Sequence, residues 1–202
     1  FTGNAVEGTT TLFETEYFNR SAYLTQSGQL YQEAGAMAFG KTYCFGPCFR
    51  AEKSKTRKHL TEFWMVEPEM AFYDLKDNMD LIEEFIVHIV SQSIKNCKEE
   101  LKILERDVSL LEKVKSPFPR ITYDEAVEMS NGKAEWGEDL SMGATREIAE
   151  QMNGFYFITK WPLSLKPFYI QPDDDPKYSR GFDFMYNEVE MTSGGQRVHD
   201  VN

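Results

Sequence analysis

The chain has 202 residues, of which 41% are apolar and 14% aromatic, and its formal net charge is −11. This size and composition suit one domain with a sizeable hydrophobic core. Every apolar stretch falls well short of the roughly 18 residues that cross a membrane, and residues 1–3 do not begin a signal peptide. We therefore expect no membrane span. The strong acidity argues against a general nucleic-acid binder, because phosphate contacts need a basic surface.

Two local features of the composition qualify this picture. Five of the 22 basic residues lie within residues 50–58, so a local contact with nucleic acid stays open. The three cysteines, Cys44, Cys48 and Cys97, form an odd and sparse set that indicates a reducing cytoplasm and no disulfide framework. Cys44 and Cys48 with His59 lack an apparent fourth ligand, so a zinc site there is disfavoured.

The first third of the chain predicts strands around one short helix. Residues 9–15 have the β-branched and aromatic character of a strand. Residues 28–40 carry apolar side chains at helical spacing and end at Gly40. Strand-like runs at 43–49 and 62–72 flank a polar connection, so we predict a hairpin there.

The longest helix signal comes next. Apolar residues that recur at intervals of three and four predict an amphipathic helix of about 27 residues, beginning near Asp77 or Asn78. A short strand and a short helix capped by Thr122 or Asp124 follow, and residues 129–146 are weakly patterned. The remaining predictions are strands at 155–159, 166–171 and 181–191 and an exposed turn at 172–176. This succession predicts an α+β domain on a mostly antiparallel sheet.

The second strand of the hairpin carries acids within an apolar sequence. Side chains alternate faces along a strand, so one face presents Phe63, Met65, Glu67 and Glu69. A buried sheet face seldom carries two carboxylates without partners. With the cationic connection at 50–58, this face offers groups for a positive amine, a flat ring and a polyphosphate, which fits an amino acid together with ATP. The alternative is a structural network in which the acids pair with nearby lysine or arginine.

The hairpin resembles motif 2 of the class II aminoacyl-tRNA synthetases. The matching pattern is Arg50-x-Glu52, a polar loop ending in Arg57-x-His59, and Glu-Phe-x-x-x-Glu-x-Glu over residues 62–69. Further matches, in the family's order, narrow the resemblance to the aspartyl and asparaginyl branch, and they lie at 6–8, 26–31, 49–52, 161–162, 166–169 and 193–200.

The resemblance implies that residues 1–202 are part of the class II catalytic domain, whose mostly antiparallel sheet is flanked by helices. The matched region begins after the place of motif 1 and ends before that of motif 3, and the anticodon-binding barrel is absent. We therefore expect these residues to be incomplete as an enzyme by themselves.

The resemblance also implies a two-step reaction. The amino-acid carboxylate attacks the α-phosphate of ATP, and the aminoacyl adenylate then passes its aminoacyl group to the terminal adenosine of tRNA. Arg50, as the catalytic residue, would neutralise the α-phosphate in the transition state. Phe63 would stack on adenine, and Glu52 would position adenine or the tRNA end. Arg57 and His59 would lie near the β- and γ-phosphates.

The metal and amino-acid ligands are likewise implied by the resemblance. Glu190 and Ser193 match the ligands of Mg²⁺, and Glu190 thereby also serves ATP binding. Hard oxygen ligands suit a Mg²⁺ ion that is shared with phosphates. The residues assigned to the amino acid are Glu7, Ser27 and Gln29 for its α-ammonium group, Arg197 for its side-chain oxygen and Glu67 for its side-chain amide.

Two positions bear on the choice between asparagine and aspartate. Aspartyl enzymes of this branch usually read Gln-Ser-Pro-Gln-x-x-Lys, whereas residues 26–32 have Gln32 in place of the lysine that meets the substrate carboxylate. They also tend to have Asp where this chain has Glu67, whose longer carboxylate can accept from an amide and repel a carboxylate. Residues 52–57 look asparaginyl, whereas residues 190–197 look more aspartyl.

These differences favour an asparagine–tRNA ligase, with asparagine, ATP and the asparagine tRNA as partners. The resemblance further implies a cytoplasmic homodimer formed through a motif 1 region outside this chain. The alternatives are an aspartate–tRNA ligase, including one that charges both tRNAs, and a synthetase-like paralogue that acts as an asparagine synthetase or as a non-catalytic binding module. The joint presence of Arg50, Phe63, Glu190 and Arg197 argues against the binding module.

Overall fold

The computed structural model describes residues 1–6, 9–53 and 59–199. The chain divides into two compact units, Phe1–Phe72 and Tyr73–Asn202. The first unit contains strands β1 (Glu14–Tyr17) and β2 (Arg20–Tyr23), helix α1 (Gln29–Phe39), and strands β3 (Lys41–Phe49) and β4 (Glu62–Met70). The second contains α2 (Leu75–Asn96), α3 (Lys98–Ile103), α4 (Val108–Leu111), β5 (Arg120–Thr122), α5 (Tyr123–Met129), α6 (Met142–Met152), β6 (Phe155–Thr159), β7 (Gly181–Tyr186) and β8 (Val189–Gly195).

Two antiparallel hairpins and one helix make up the first unit. β1 pairs with β2, and β3 pairs with β4 in a register that sets Cys44 opposite Glu67. α1 ends at Gly40, whose φ of 79° suits glycine at a helix terminus. The predicted helix and hairpin are confirmed. The strand predicted at 9–15 is wrong in its first part, where Thr9–Thr11 forms a 3₁₀ turn, because β-branched composition is only a weak local preference.

A four-stranded sheet in the order β5-β6-β7-β8 forms the centre of the second unit. β5 and β6 are parallel and the other two pairs are antiparallel, so the predicted α+β class with mostly antiparallel pairing is confirmed. One buried cluster comprises Tyr123, Ala126, Ile148, Tyr156, Ile158, Trp161 and Met185. A second comprises Met79, Phe118, Phe157, Phe182 and Phe184. Because α5 and α6 contribute to the first cluster and α2 to the second, helices cover both faces of this sheet.

In the second unit, α2, α4, α5 and α6 begin at side-chain caps, whereas α3 does not. Asp74 and Asp77 form a reciprocal capping box at the start of α2, so the predicted start at Asp77 or Asn78 is slightly late. The predicted length is also wrong, because the helix breaks at Cys97 although the apolar spacing continues into α3. Thr122 caps α5, as predicted. Among the described residues, none of the helices has the length and apolar content that crossing a bilayer requires.

Residues 129–146 contain more structure than their weak pattern indicates. They include the start of α6, where the hydroxyl of the N-cap Ser141 accepts the N–H of Ala144. The apolar face of this helix is narrow and includes alanines, so its periodicity is faint in the sequence. The strand predicted at 155–159 is confirmed as β6.

One other predicted strand is wrong, and another consists of parts of two strands. Residues 166–171 are largely irregular, and Ile170 makes only an isolated bridge to Arg197 within the described part of the chain. Pro167 lacks the N–H that a sheet ladder needs, which disfavours a strand at this point. The run at 181–191 comprises β7 and the first residues of β8, which turn back on each other before Val189.

Candidate functional site

The inner face of the β3–β4 hairpin carries the first group of predicted site residues. The half-buried residues on this face of β4 are Phe63, Met65, Glu67 and Glu69, and the residues between them are exposed, which confirms that they share a face. On β3, the half-buried Cys44 and the buried Cys48 lie opposite Glu67 and Phe63, respectively. Directly opposite residues of antiparallel strands point to the same side of the sheet. The hairpin therefore places an aromatic ring, carboxylates and two thiols on one surface.

The carboxylate of Glu67 is held by four hydrogen-bond donors. Its Oε2 accepts from the hydroxyl of Ser27, and its Oε1 accepts the backbone N–H of Gly28 at 3.0 Å. The thiols of Cys44 and Cys48 lie 3.7 and 3.5 Å from the same Oε1. The structure thus brings together two predicted amino-acid ligands, Ser27 and Glu67. The sequence analysis missed Gly28 and the two cysteines as their neighbours.

Both thiols are held in their protonated form. Burial raises the pKa of Cys48 to about 12, and the negative charge of Glu67 is the second cause. Burial and then Glu67 also raise the pKa of Cys44. A protonated thiol is a weak hydrogen-bond donor and a poor nucleophile. These cysteines are therefore suited to donate to Glu67 and not to react.

The segment before α1 fixes Ser27 and leads to Gln29. The hydroxyl of Thr25 donates to the carbonyl of Ser27 at 2.8 Å, and the hydroxyl of Ser27 accepts the N–H of Gln29 at 3.1 Å. Among the described residues, Nε2 of Gln29 is buried without a hydrogen-bond partner. A buried donor of this kind calls for an explanation, and a ligand is one. Glu7 lies outside the described residues, so its predicted contact stays a prediction.

The predicted ATP residues of the first unit meet at the start of β4. The guanidinium carbon of Arg50 lies 5.2 Å from the ring centroid of Phe63, a cation–π distance. The backbone N–H of Arg50 donates to the carbonyl of Thr61 at 3.0 Å, which fixes the chain where the hairpin opens. The structure therefore brings together the two residues expected to contact the α-phosphate and adenine.

The other predicted ATP residues of this unit are less constrained. Glu52 is half-buried and lines an open cavity of 480 Å³ together with Thr10, Thr11, Ala51 and Lys53. His59 is exposed. Arg57 lies outside the described residues, so its predicted position near the phosphates is untested.

In the second unit, a β-bulge sets the direction of the predicted magnesium ligands. Glu190 and Ser193 are three residues apart, and regular alternation would place them on opposite faces. The register shifts, however, so that Ser193 lies opposite Asp183 and Glu190 lies opposite Met185. Asp183 and Met185 are two residues apart on β7. The bulge therefore returns Glu190 and Ser193 to one face, as bulges do when they redirect a side chain.

The same face holds a buried carboxylate that the sequence analysis missed. Nζ of Lys166 lies 2.8 Å from Oδ1 of Asp183, and the two side chains are only 14% and 10% exposed. Burial raises the pKa of Asp183 to about 6, Lys166 opposes this rise, and the negative charge of Glu190 adds to it. The signal in the sequence was a single acid between two phenylalanines of a strand, at 182–184.

Arg197 lies beyond the end of β8, in the second unit. It is half-buried, and its backbone forms an isolated β-bridge with Ile170. Its guanidinium carbon lies 4.7 Å from the ring centroid of Tyr169. The ring restricts the orientation of this guanidinium without neutralising it. A guanidinium offers N–H donors of the kind that binding a side-chain oxygen requires.

Among the described residues, the expected magnesium ion would have few protein ligands. Across the described ranges, no group of three or more His, Cys, Asp or Glu side chains is arranged to hold a metal ion. Glu190 and Ser193 offer two exposed oxygen ligands on one face. This small set fits Mg²⁺, which is commonly held by one or two carboxylates together with substrate phosphates and water.

Known tRNA synthetases are similar to this chain over almost its full length. The model of the class II tRNA synthetases (D, K and N) matches residues 1–202. An asparagine–tRNA ligase of Chloroflexus aurantiacus is 51% identical, over 98% of this chain and 48% of that protein. The corresponding ligase of Desulforamulus reducens is also 51% identical, over 98% of this chain and 47% of that protein.

One solved structure is similar over the same extent. The asparaginyl-tRNA synthetase of Pyrococcus horikoshii, complexed with asparaginyl-adenylate, matches with a TM-score of 0.92 and 39% identity. The match covers 98% of this chain and 47% of that one. The chain thus spans about half the length of the curated relatives it matches.

Proposed function

The chain belongs to the class II tRNA synthetases of the aspartate, lysine and asparagine group, and from this premise we propose that residues 1–202 are part of the catalytic domain of an asparagine–tRNA ligase. The curated relatives at 51% identity carry that activity by name. The reaction is the activation of asparagine by ATP to an adenylate with release of pyrophosphate, followed by transfer to the asparagine tRNA.

The observation that carries the choice of asparagine is the bond from Gly28 to Glu67. The backbone N–H of Gly28 donates to Oε1 of Glu67 at 3.0 Å. The aspartyl pattern has proline at this position, and proline has no N–H to donate. A Cβ atom on residue 28 would also lie 2.5 Å from Sγ of Cys44. Glycine at position 28 is therefore matched to the longer carboxylate at position 67.

The held carboxylate is suited to an amide side chain. Glu67 can accept an N–H of the asparagine amide, whereas the carboxylate of aspartate would be repelled by it. Gln32 stands where an aspartyl enzyme has lysine, so the first unit offers no compensating cation at that position. A site built around such hydrogen bonds rejects a near-isostere strongly, because the wrong ligand leaves buried groups unpaired. Arg197 keeps the role of binding the side-chain oxygen.

Arg50 and Phe63 account for the activation step within the first unit. The guanidinium of Arg50 stabilises the negative charge that develops on the α-phosphate during attack, and a preorganised charge of this kind lowers the barrier. Phe63 stacks on adenine and, at 5.2 Å, also limits where Arg50 can point. Glu52 positions adenine or the tRNA end. Gln29 contributes its side-chain carbonyl oxygen, an acceptor, to the α-ammonium group, whereas its buried Nε2 can donate to an acceptor atom of the ligand.

Glu190 and Ser193 would hold Mg²⁺, which when bound supplies positive charge to the ATP phosphates. In the same proposal Arg57 and His59 serve the outer phosphates, and Glu7 with Ser27 serves the α-ammonium group. We also infer a cytoplasmic homodimer. The basic residues within 50–58 provide local phosphate contacts for tRNA on a chain whose net charge is −11.

ATP–pyrophosphate exchange in the intact protein tests this proposal. We expect exchange that depends on asparagine and is weak with aspartate, followed by charging of the asparagine tRNA. Equal or faster exchange with aspartate would support the aspartyl alternative. Formation of free asparagine from aspartate and an ammonia donor would instead support the asparagine synthetase alternative.

A further inference from the structure

The four donors around Glu67 leave a defined acceptor direction on its carboxylate. Each carboxylate oxygen has about two lone-pair directions. Oε1 receives three donors, the N–H of Gly28 at 3.0 Å and the weakly donating thiols of Cys44 and Cys48, so both of its directions are taken. On Oε2 one direction is taken by Ser27. One acceptor direction is therefore left, and it lies on Oε2.

All four donors to Glu67 belong to neutral groups. A half-buried carboxylate without donors tends to take up a proton or to turn toward water. A lysine or arginine beside it would also hold it in place, but the added positive charge would attract a substrate carboxylate. The thiols, the hydroxyl and the amide N–H hold the carboxylate in place without adding charge. The surroundings of Glu67 thus keep the negative potential that distinguishes an amide from a carboxylate.

We propose that Cys44 and Cys48 are positioning residues for substrate selection, which hold Glu67 so that Oε2 accepts from an amide. This inference rests on the proposed function. It assigns the thiols no bond to the substrate and no covalent chemistry.

The register of the β3–β4 hairpin places Cys44 and Cys48 on the same face as Glu67. Cys44 is the direct cross-strand neighbour of Glu67, and Cys48 lies four residues further on the same face. Cys48 is only 2% exposed, so water cannot readily replace its S–H group. The absence of a Cβ on Gly28 lets the preceding segment approach Sγ of Cys44 closely. Cys97 is exposed and lies in the second unit, so it serves as an internal control.

The first experiment compares Cys48→Ala with Cys48→Ser by ATP–pyrophosphate exchange in the intact protein. Serine keeps a hydroxyl donor and alanine does not. We expect Cys48→Ala to raise the KM for asparagine about tenfold, the typical loss for a hydrogen bond to a charged group, and to narrow the asparagine-to-aspartate ratio of kcat/KM. For Cys48→Ser, the KM for asparagine should stay within about threefold of that of the unsubstituted protein. Cys97→Ala should change neither this KM nor the asparagine-to-aspartate ratio of kcat/KM. Equal behaviour of the alanine and serine variants would overturn the role of Cys48.

The second experiment does not depend on enzyme activity or on a substitution of the buried cysteine. Alkylation by iodoacetamide is followed by mass spectrometry in the intact protein, native and Glu67→Gln, with Cys97 as the internal standard. Removing the negative charge of Glu67 should raise the fraction of Cys44 thiolate, so its alkylation relative to Cys97 should rise at least about threefold near pH 8.5. An unchanged ratio would show that Cys44 does not interact with Glu67, and would overturn its role.

These two measurements separate the inference from the proposed function. No exchange with asparagine in the native protein would refute the proposed function, and the alkylation ratio alone would then decide whether Cys44 interacts with Glu67. Normal exchange with no difference between the alanine and serine variants would leave the proposed function intact and overturn the inference. If Cys48→Ala lowers the melting temperature strongly, Cys44→Ala at the half-buried position provides the same comparison.

Discussion

Replacing Lys166 by methionine should strongly destabilise the second unit. Nζ of Lys166 lies 2.8 Å from Oδ1 of Asp183 and 4.2 Å from the ring centroid of Trp161. Methionine keeps most of the volume and removes the charge, which leaves the buried carboxylate without its cation. Removing one partner of a buried pair costs about 3–5 kcal/mol, and the lost cation–π contact adds up to about 1 kcal/mol.

Lys177→Met is the matched control. Nζ of Lys177 lies 4.0 Å from the ring centroid of Trp136, but this lysine is exposed. The control therefore loses a lysine and a cation–π contact without exposing a buried charge, and we expect a cost below about 1 kcal/mol. Urea unfolding followed by tryptophan fluorescence at about pH 7.5 measures both variants. Adding Asp183→Asn to Lys166→Met should recover part of the loss, because the uncompensated charge is then absent.

The pH dependence gives a second check on the same pair. Burial raises the pKa of Asp183 to about 6, above its unfolded value of about 3.9. The folded state therefore binds the proton more tightly, and the stability gained from protonation is present at low pH and lost as the pH rises through about 6. Without Lys166 this pKa rises further, so Lys166→Met should regain stability when the pH is lowered from about 7.5 to about 5.5. If Lys166→Met loses no more unfolding free energy than Lys177→Met, and regains none at the lower pH, the role assigned to the Lys166–Asp183 pair is wrong.

Three further predictions concern activity, and each is measured by ATP–pyrophosphate exchange in the intact protein. Arg50→Ala should slow asparagine-dependent exchange by about 10²-fold or more, since it removes a charge aimed at the reacting phosphate; a rate within a few-fold of the native one would contradict this role. Glu190→Gln should raise the magnesium concentration for half-maximal exchange, and an unchanged dependence would place the ion elsewhere. Gln32→Lys combined with Glu67→Asp should shift the preference toward aspartate, and retention of the native preference would show that other residues select the side chain.

The sequence predicted best those elements whose signal is local. Helix α1 with its terminal Gly40 and the β3–β4 hairpin each follow from spacing within about ten residues. The break at Cys97 was missed because the apolar spacing continues through it. The start of α6 was missed because its apolar spacing is faint.

The hydrogen-bond partners in the candidate site are distant in sequence, so the local spacing of residue types does not predict them. Glu67 was recognised from its place in a motif, but its donors Ser27 and Gly28 lie 40 and 39 residues away in the chain. Asp183 was missed for a related reason, since its partner Lys166 is 17 residues away in an irregular segment that was predicted to be a strand. A strand pattern predicts which face a side chain occupies but not which distant group shares that face.

The bulge in β8 makes the number of residues between Glu190 and Ser193 as important as their identity. Deleting the extra residue, Met191, would leave Glu190 and Ser193 two residues apart in an uninterrupted ladder with β7 and still on one face, whereas regular pairing at the present spacing of three would place them on opposite faces. Conservative substitution of Met191 would preserve that count. We therefore expect natural variants of this strand either to keep the extra residue together with its bulge or to lack both, because the present spacing in a regular ladder would place the two oxygen ligands on opposite faces.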